Sequence, residues 1–381
     1  MCLALFITFF KIGLFTFGGG WAMIAIIERE IVDNHRWVRR EEFVDLLAVA
    51  QAMPGILAVN ISCVVGNRLR GLRGSVVAAL GTILPSFIII LFIAIYLTPE
   101  VVKTCEWVSR CFRAIRPAVV ALIVAPVFTT ARRAGITWRT AVIPVAVALL
   151  ICSRLPVVSN PIVFIVLGAV GGIVASCTLK GHGRLHAMVP FLACGLPGGM
   201  ATCGGKYLKL IWAYVKIGLF GFGGGYAMLS LIRREVVDSG WITSQQFTDV
   251  VAISQMTPGP IGINSATYIG YVFTGSVWGS LVATFTVVLP PFVLTLWASH
   301  YIARHRDSDF IQGAFRGLRP VVVGLIASAA LLLMNSENFG CTVGDRVASV
   351  AICVAAFIGV YFLRVHPIFV ILAAAVLGLA L

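Results

Sequence analysis

The sequence predicts an all-α polytopic membrane protein, on the grounds of its composition and its long apolar runs. Hydrophobic residues make up 59% of the 381 residues and charged residues 12%, and the mean hydropathy is +0.99. Soluble domains carry about 25% charged residues, so the composition argues against a soluble fold. Runs such as 75–96 and 280–297 approach the ~20 residues that cross a bilayer as a helix. Because a backbone in lipid must satisfy its own hydrogen bonds, these runs are expected to be helical.

The chain also contains one unit twice. Residues 11–33 and 216–238 are identical at 16 of 23 positions, at an offset of 205. The recurrence continues downstream, where Phe43, Asp45, Ala48, Gln51, Pro54, Gly55 and Asn60 return as Phe247, Asp249, Ala252, Gln255, Pro258, Gly259 and Asn264. This repeat is far longer than a solenoid period and indicates gene duplication. It divides the chain into an N-terminal repeat (1–176), a central linker (177–209) and a C-terminal repeat (210–381).

Each repeat offers the same succession of apolar segments. The first repeat begins with segment 3–27, which three glycines interrupt, and continues with an amphipathic segment, 43–66, broken at residues 53–55. Four further segments follow at 74–97, 113–131, 138–153 and 159–176. The second repeat has the same order at 210–232, 245–270, 279–301, 317–334, 344–363 and 366–381.

The topology depends on whether the broken segments cross the membrane or re-enter on one side. If they cross, each half has six spans and the best orientation divides the 27 loop Lys and Arg residues 16 to 11. If they re-enter, the division is 19 to 8, and the positive-inside rule favours that solution. We therefore predict two inverted-topology repeats of five spans each, with a broken re-entrant helical segment in each repeat. The linker would be cytoplasmic and both chain ends outside.

The broken segments are candidate substrate-binding sites. Helix breaks at matching positions of an inverted repeat are the best sequence pointer to a transporter site, because a new helix N-terminus attracts anions. Proline suits the first turn of such a helix, glycine permits close approach of a ligand, and amides offer donors. The candidate residues are Gln51, Pro54, Gly55 and Asn60 with Gln255, Thr257, Pro258, Gly259 and Asn264. The alternative interpretation is a structural kink with packing glycines.

Two triple-glycine stretches form a second candidate feature. They are Gly18, Gly19 and Gly20 in the first repeat and Gly223, Gly224 and Gly225 in the second. Glycines let helices pack closely in lipid, which is one explanation. Three in a row exceed what packing needs, since each costs a helix about 1 kcal/mol. An unwound turn that presents N–H groups to a ligand is the explanation we favour.

Charged residues at repeated positions complete the candidate site. Lys11 and Lys216 precede the glycines within membrane segments, where a lysine marks a function by default, although it can also reach toward the interface. The repeated acids are candidates for proton coupling or for loop ion pairs: Glu30, Asp45, Glu235 and Asp249. The arginines before two prolines either line an anion entrance or anchor helix ends: Arg113, Arg116, Arg316 and Arg319.

The sequence predicts neither a cofactor nor a metal nor nucleic-acid binding. The net charge of +14 lies in short interhelical loops, where topology explains it. The linker residues Cys177, His182, His186, Cys194 and Cys203 have spacings that fit no zinc pattern. No haem, flavin or iron–sulfur spacing is present, so we predict that the protein is not an enzyme.

These motifs resemble those of the chromate ion transporter family. The resemblance rests on 11–23 with 51–60, on 216–228 with 255–264, and on the duplicated halves, and it covers essentially the whole chain. It implies a secondary carrier of the plasma membrane that exports chromate, as an antiporter or driven by the membrane potential or proton gradient, and that confers chromate resistance. The first break has Met53 where the second has Thr257, which gives the second break more weight for ligand contact.

Several alternatives stay open at the level of sequence. Sulfate is a tetrahedral dianion of similar shape, and some relatives of this kind could carry it instead. A passive anion channel would share the helix-terminus site, whereas a chromate reductase would need a redox cofactor and a membrane scaffold would not need repeated polar groups. The expected partners are thus chromate or sulfate, protons as a coupling ion, and the lipid bilayer. A homodimer is compatible with the sequence, but no residue requires it.

Overall fold

The structure is a computed structural model that describes residues 1–16, 20–138, 140–153, 159–179, 205–302, 309–340 and 342–380. The regular elements of this part of the chain are helices. The N-terminal repeat forms α1 (Cys2–Phe15), α2 (Gly20–Glu28), α3 (Arg40–Ala52), α4 (Leu57–Tyr96), α5 (Pro99–Thr104), α6 (Glu106–Arg133), α7 (Val142–Cys152) and α8 (Pro161–Leu179). A π-helical turn, Arg29–Asn34, follows α2.

The C-terminal repeat forms the same series. Its helices are α9 (Lys206–Phe220), α10 (Gly225–Val236), α11 (Ser244–Met256), α12 (Ile261–Thr274), α13 (Val277–Ile302), α14 (Asp309–Leu333), α15 (Ser336–Phe339), α16 (Val343–Tyr361) and α17 (Pro367–Ala380). The single helix α4 corresponds to α12 and α13 together. Its two arms meet at Gly71, whose φ is 60°, and Gly275, whose φ is 71°, separates the two helices of the second half. A glycine with a positive φ therefore interrupts the chain at the equivalent position of both repeats, although its ψ differs, at −151° for Gly71 and 18° for Gly275.

The glycine-interrupted helices pack against the long second arms. Helix α1 lies along α4, and α9 lies along α13. Contact is close in both places, because a Cβ at Gly13 would come 2.6 Å from the Thr82 carbonyl oxygen and one at Gly218 would come 2.7 Å from that of Val287. Small residues let helix backbones approach in this way within membranes.

The last hairpin of each repeat packs on the other repeat. Helices α7 and α8 contact α14, whereas α16 and α17 contact α6. Glycines form the α8–α14 contact, where a Cβ at Gly172 would lie 2.2 Å from the Gly313 carbonyl oxygen. The two halves are therefore interlocked rather than placed side by side.

Each broken segment folds back on itself. In the first half, Arg68 near the end of the first arm of α4 donates to Glu42 at the start of α3. In the second half, Trp241 just before α11 stacks on Phe273 at the end of α12, with ring centroids 4.1 Å apart. The two ends of each segment are thus in contact with each other, and the break lies between them.

The helical membrane architecture that the sequence predicts is confirmed. Five described helices are long and apolar enough to cross a bilayer, and four shorter apolar helices accompany them. Several boundaries differ from the prediction: α14 begins at Asp309 rather than at 317, α6 begins at Glu106 rather than at 113, and α9 begins at Lys206 within the predicted linker. In these cases polar residues that hydropathy assigns to a loop continue the helix beyond its apolar stretch, since helix geometry does not require an apolar side chain.

Candidate functional site

The tips of the two broken segments bind the opposite repeat. The Gly55 N–H donates to the carbonyl of Gly221 at 2.8 Å, and the Gly259 N–H donates to the carbonyl of Thr16, also at 2.8 Å. Thr16 and Gly221 occupy the same position in their repeats, just before the triple glycines. Each break is therefore tied to the glycine stretch of the other half by one hydrogen bond.

Space at these tips excludes any side chain. Gly55 has a φ of 101°, and a Cβ there would lie 2.2 Å from the Pro291 Cβ. Gly259 has a φ of 104°, and a Cβ there would lie 2.3 Å from the Ser86 Cβ. The close approach that glycine permits is thus made to the other half, where Ser86 and Pro291 are equivalent positions.

The prolines of the two breaks lie outside the first helical turns, contrary to the sequence-based expectation. Helix α4 begins at Leu57 and α12 begins at Ile261, so Pro54 and Pro258 each lie three residues earlier. The glycine after each proline has a positive φ, and this forces a turn before the helix can start.

The two asparagines close the ends of the helices before the breaks. Asn60 Nδ2 donates to the Pro54 carbonyl at 2.9 Å, and Asn264 Nδ2 donates to the carbonyls of Ser254 and Pro258 at 3.2 Å each. The Thr257 hydroxyl also accepts from Asn264, at 3.0 Å. These donors satisfy carbonyl groups that a helix end leaves unpaired.

The second triple-glycine stretch is unwound. Helix α9 ends at Phe220 and α10 begins at Gly225, and between them Gly223 and Gly224 have φ values of 90° and 84°. The first N–H groups of α10 have no partner inside the helix, so they give this end a partial positive charge. The glycine turn, Gly221–Gly224, therefore ends at an anion-attracting helix N-terminus.

The glycine turn borders a cavity of about 730 Å³ between the repeats, which we call the basic cavity. From the first repeat it is lined by the end of α3, including Gln51, and by Gly55. From the second repeat it is lined by Gly223 and Gly224. One break and one glycine turn, from different repeats, thus meet at a single site.

Arginines supply the charge of the basic cavity. Arg133 at the end of α6 and Arg316 and Arg319 in the first half of α14 line it, together with Gln312. None of the described residues that line it is acidic. Guanidinium groups bind oxyanions in bidentate geometry, so this lining can hold a tetrahedral dianion.

The intramembrane lysines are in different environments. Lys216 Nζ donates to both carboxylate oxygens of Glu235, at 2.6 and 2.7 Å, and both side chains are largely buried. Lys11 is exposed, and Glu30, the equivalent of Glu235, accepts instead from Asn34 at 3.0 Å. Lys216 thus neutralises a carboxylate in this conformation.

One acid–arginine pair joins the two repeats deep in the protein. Arg116 Nε and Nη2 donate to Asp249 at 2.7 and 3.0 Å, and both residues are 8% exposed. The Gln245 amide, with its oxygen toward the guanidinium, accepts from Arg116 Nη2 at 3.0 Å. Asp45, which corresponds to Asp249, is exposed.

The second break is buried, whereas the first break lines the basic cavity. Gln255 is 1% exposed, and neither its amide nitrogen nor its oxygen has a partner among the described residues. Its equivalent, Gln51, is exposed in the basic cavity. Predicted site residues of the first break and of the second glycine turn therefore share one cavity, and those of the second break do not.

Some of the predicted residues lie outside the part of the chain that the structure describes. Gly18 and Gly19 lie outside the described residues, as do the linker residues His182, His186, Cys194 and Cys203, and the surroundings of Cys177 are likewise not described. Gly20 is the first residue of α2.

Among the polar residues that line the basic cavity, sequence reasoning missed Arg133 and Gln312. Both lie in polar stretches next to apolar segments, which a hydropathy analysis assigns to loops. Arg133 lies at the end of α6 and Gln312 near the start of α14, and only the tertiary fold brings them together. The one available signal was the basic pair Arg132 and Arg133 at a predicted helix end.

Taken together, the multi-pass helical architecture and a charged cavity between two interlocked repeats define a membrane transport protein. The chain matches the family described as "Chromate transporter" over residues 3–173 and 208–379. It belongs to that family, which consists of transporters rather than enzymes. The protein is accordingly a multi-pass integral membrane protein.

Similar proteins match over most of the chain. It is 30% identical to the chromate transport protein of Pseudomonas aeruginosa, over 98% of this chain and 91% of that one. It is 28% identical to a probable chromate transport protein of Synechococcus elongatus, over 85% and 82%. An uncharacterized transporter of Bacillus subtilis, YwrA, is 30% identical over 45% of this chain and 94% of its own length, so one half alone matches almost a whole relative. No solved structure matches.

Proposed function

We propose that this protein is a secondary carrier that exports chromate across the plasma membrane and thereby confers chromate resistance, with the anion bound in the basic cavity. Two relatives that align over most of the chain are named for chromate transport. The observation that carries the proposal is the lining of the cavity, where Gly224, the N-cap of α10, lies together with Arg316 and Arg319. A helix N-terminus and arginines both favour an anion, and a site without acidic lining does not repel it.

An inverted relation between the repeats supports alternating access. Helices α6 and α14 are equivalent, yet the C-terminal end of α6 and the N-terminal half of α14 line the same cavity, through Arg133 and Arg316. This placement supports a topology in which the two helices cross the membrane in opposite directions. Because each broken segment also folds back on itself, we assign it as re-entrant, as in other carriers with broken helices at the midplane.

A cavity that faces the cytoplasm would receive the anion from inside the cell, as export requires. The loops at the ends of α6 and α14 nearest the basic cavity are those that the charge bias assigns to the cytoplasm. Arg116, which pairs with Asp249, belongs by contrast to the N-terminal half of α6, away from Arg133 at its C-terminal end. An inside-negative potential drives an anion outward, by about 2.3 kcal/mol per charge for each 100 mV.

Coupling of anion export to proton movement is also part of the proposal. The repeated acids Asp45 and Asp249 lie on the helices that end at the breaks, so their protonation can follow the change of access. Glu30 and Glu235 are the second pair of coupling candidates, of which Glu235 holds Lys216. Sulfate presents the same tetrahedral dianion chemistry to the cavity, so it is the second candidate substrate.

The test is flux of radiolabelled chromate and sulfate in proteoliposomes of known orientation, with and without an imposed proton gradient. We expect saturable chromate flux that Arg319→Gln lowers at least tenfold, since a charge-assisted bidentate contact contributes about 1.5–3 kcal/mol. Arg73→Gln, an exposed arginine at the turn of α4 and outside the cavity, is the matched control.

Each outcome distinguishes the proposal from a rival. Non-saturable flux that follows the anion gradient alone would indicate a channel, and equal flux of both anions would indicate a general oxyanion carrier. Absence of chromate flux in protein that is folded and correctly inserted would refute the proposed function.

A further inference from the structure

Two equivalent arginines of the duplicated chain are found in opposite environments. Arg116 of the first repeat is 8% exposed and is held by Asp249 of the second repeat through two hydrogen bonds. Arg319 of the second repeat is exposed and lines the basic cavity. The duplication places each of them directly before a proline, Pro117 or Pro320. The same position of the repeat is therefore buried and paired in one half of the molecule, which we call the closed side, and exposed in the other, which we call the open side.

The residues around the two arginines differ in burial in the same way. On the closed side Asp249 and Gln255 of α11 are buried, whereas on the open side the equivalent Asp45 and Gln51 of α3 are exposed. The amide of Gln255 has no partner for either polar atom among the described residues. A buried amide without partners is costly, so its position is explained if it gains partners in another conformation.

We propose that Arg116 and Arg319 are alternating oxyanion ligands, each released to the anion on its own side of the membrane and otherwise bound by an aspartate of the opposite repeat. In the present conformation Arg319 can bind an anion in the basic cavity, and Arg116 is bound to Asp249. In the opposite conformation Asp45 occupies Arg319, and Arg116 faces an anion together with Gln255. This inference rests on the proposed function, because it names the residues that would bind the transported anion.

The chemistry of the closed pair supports this exchange. Asp249 binds Arg116 through Nε and Nη2, the edge of the guanidinium that an oxyanion also uses with two of its oxygens. The carboxylate and the anion thus compete for the same two donors. Since removal of one partner would leave a buried charge uncompensated, the pair keeps its side closed until another anion replaces the carboxylate.

The pair also joins the two moving parts. Arg116 belongs to α6, and Asp249 belongs to α11 of the other repeat, so the contact must break if one repeat rocks against the other. The equivalent contact between Arg319 and Asp45 would likewise join α14 to α3. The two contacts would therefore exclude each other, as alternating access requires.

The experiment measures accessibility rather than transport. Gln51→Cys and Gln255→Cys are introduced separately into a chain whose ten native cysteines are replaced and whose thermal unfolding matches that of the parent. Each cysteine is labelled in oriented vesicles by a membrane-impermeant maleimide added to one face or the other. In the parent we expect the cysteine at 51 to react from the cytoplasmic face and the cysteine at 255 to react from neither.

Asp249→Asn should reverse this pattern. We expect the cysteine at 255 to react at least about tenfold faster, and only from the outer face, because loss of one partner of a buried pair shifts a two-state equilibrium by more than that. Labelling at 51 should fall. Asp45→Asn, the matched control, should leave the cysteine at 255 unreactive. Chromate should protect the cysteine at 51 in the parent and the cysteine at 255 in Asp249→Asn.

Unchanged labelling at 255 in folded Asp249→Asn would overturn the inference. Should that variant not fold, Arg116→Lys keeps the charge without the bidentate contact, and it must give the same direction of change. A labelling shift without protection by chromate would refute the anion-binding role of the arginines, and with it the proposed substrate, while the exchange of ion pairs would stand.

Discussion

The backbone N–H of Gly55 donates to the carbonyl of Gly221 across the boundary between the repeats, at 2.8 Å. The acceptor is the first residue of the glycine turn, whose Gly223 and Gly224 line the basic cavity, and the donor is itself part of the cavity wall. A shift of the first broken segment therefore moves the glycine turn with it. The equivalent bond from Gly259 to Thr16 makes the same connection on the closed side.

Gly55→Ala should destabilise the protein. Its φ of 101° is strained for alanine, at about 1–3 kcal/mol, and the new methyl group would collide with Pro291. Because Pro291 belongs to a packed helix and cannot move away cheaply, overpacking adds about 1–3 kcal/mol. The measurement is thermal unfolding of the purified protein in detergent, with an expected fall of several degrees.

Gly171→Ala is the matched control, since no atom lies within 4 Å of a Cβ at this position in α8. It should leave the unfolding temperature unchanged or raise it slightly, because alanine is the better helix former. Equal unfolding temperatures for Gly55→Ala and the parent would show that the tip of the first break is not packed as described.

Asn264→Ala should also destabilise the protein, through the end of α11. Its amide donates to two carbonyls and to the Thr257 hydroxyl while fully buried, and buried groups left unpaired cost about 1–3 kcal/mol. Asn67→Ala removes one hydrogen bond to Ser299 in a half-buried place and should cost less. Chemical or thermal unfolding of both variants ranks them, and a reversed order would contradict the capping role.

Much of the fold follows from the sequence because hydropathy and repetition are read directly from residue types. The breaks at 53–55 and 257–259 and the glycine stretch before Gly225 are all non-helical in the structure. The exchange of the last hairpins between repeats was not predictable, because the apolar faces of α8 and α17 do not reveal which long helix they contact. The pairing of Arg116 with Asp249, 133 positions apart, is likewise set by that tertiary arrangement.

The sequence also does not predict that the two halves differ in burial. Gln51 and Gln255 have equivalent surroundings in the sequence, yet one is exposed and the other is 1% exposed. Residue types alone do not indicate which of two equivalent positions lines the cavity. That both breaks contribute to one site stays a prediction.

Lys216 and Glu235 should behave as a coupled pair. Lys216→Met alone leaves a largely buried carboxylate unpaired, and Glu235→Gln alone leaves the ammonium group unpaired, so each should lower stability by about 1–3 kcal/mol. The double variant should recover part of that loss. Thermal unfolding of the four proteins gives the coupling, and additive losses would show that the pair does not interact.

The same variants decide whether Lys216 also binds the substrate. If its only partner is Glu235, chromate flux in the double variant should return toward that of the parent together with stability. Flux that stays low while stability recovers would show that the pair also acts in transport, and Glu235→Gln alone, which keeps Lys216, separates a loss of coupling from a loss of the anion contact.

Gln51→Glu should suppress anion transport without a loss of stability. The side chain is exposed in the basic cavity, so a carboxylate there remains hydrated and costs little folding free energy, whereas it repels a dianion and competes for Arg316 and Arg319. We expect chromate flux to fall at least about tenfold at neutral pH, with partial recovery as the pH approaches the carboxyl pKa of about 4.3 and the charge is lost. Gln51→Met, similar in size and uncharged, should have a much smaller effect, because it removes the amide and adds no repulsion. Equal losses in the two variants would show that the amide itself, rather than the charge of the cavity, determines transport.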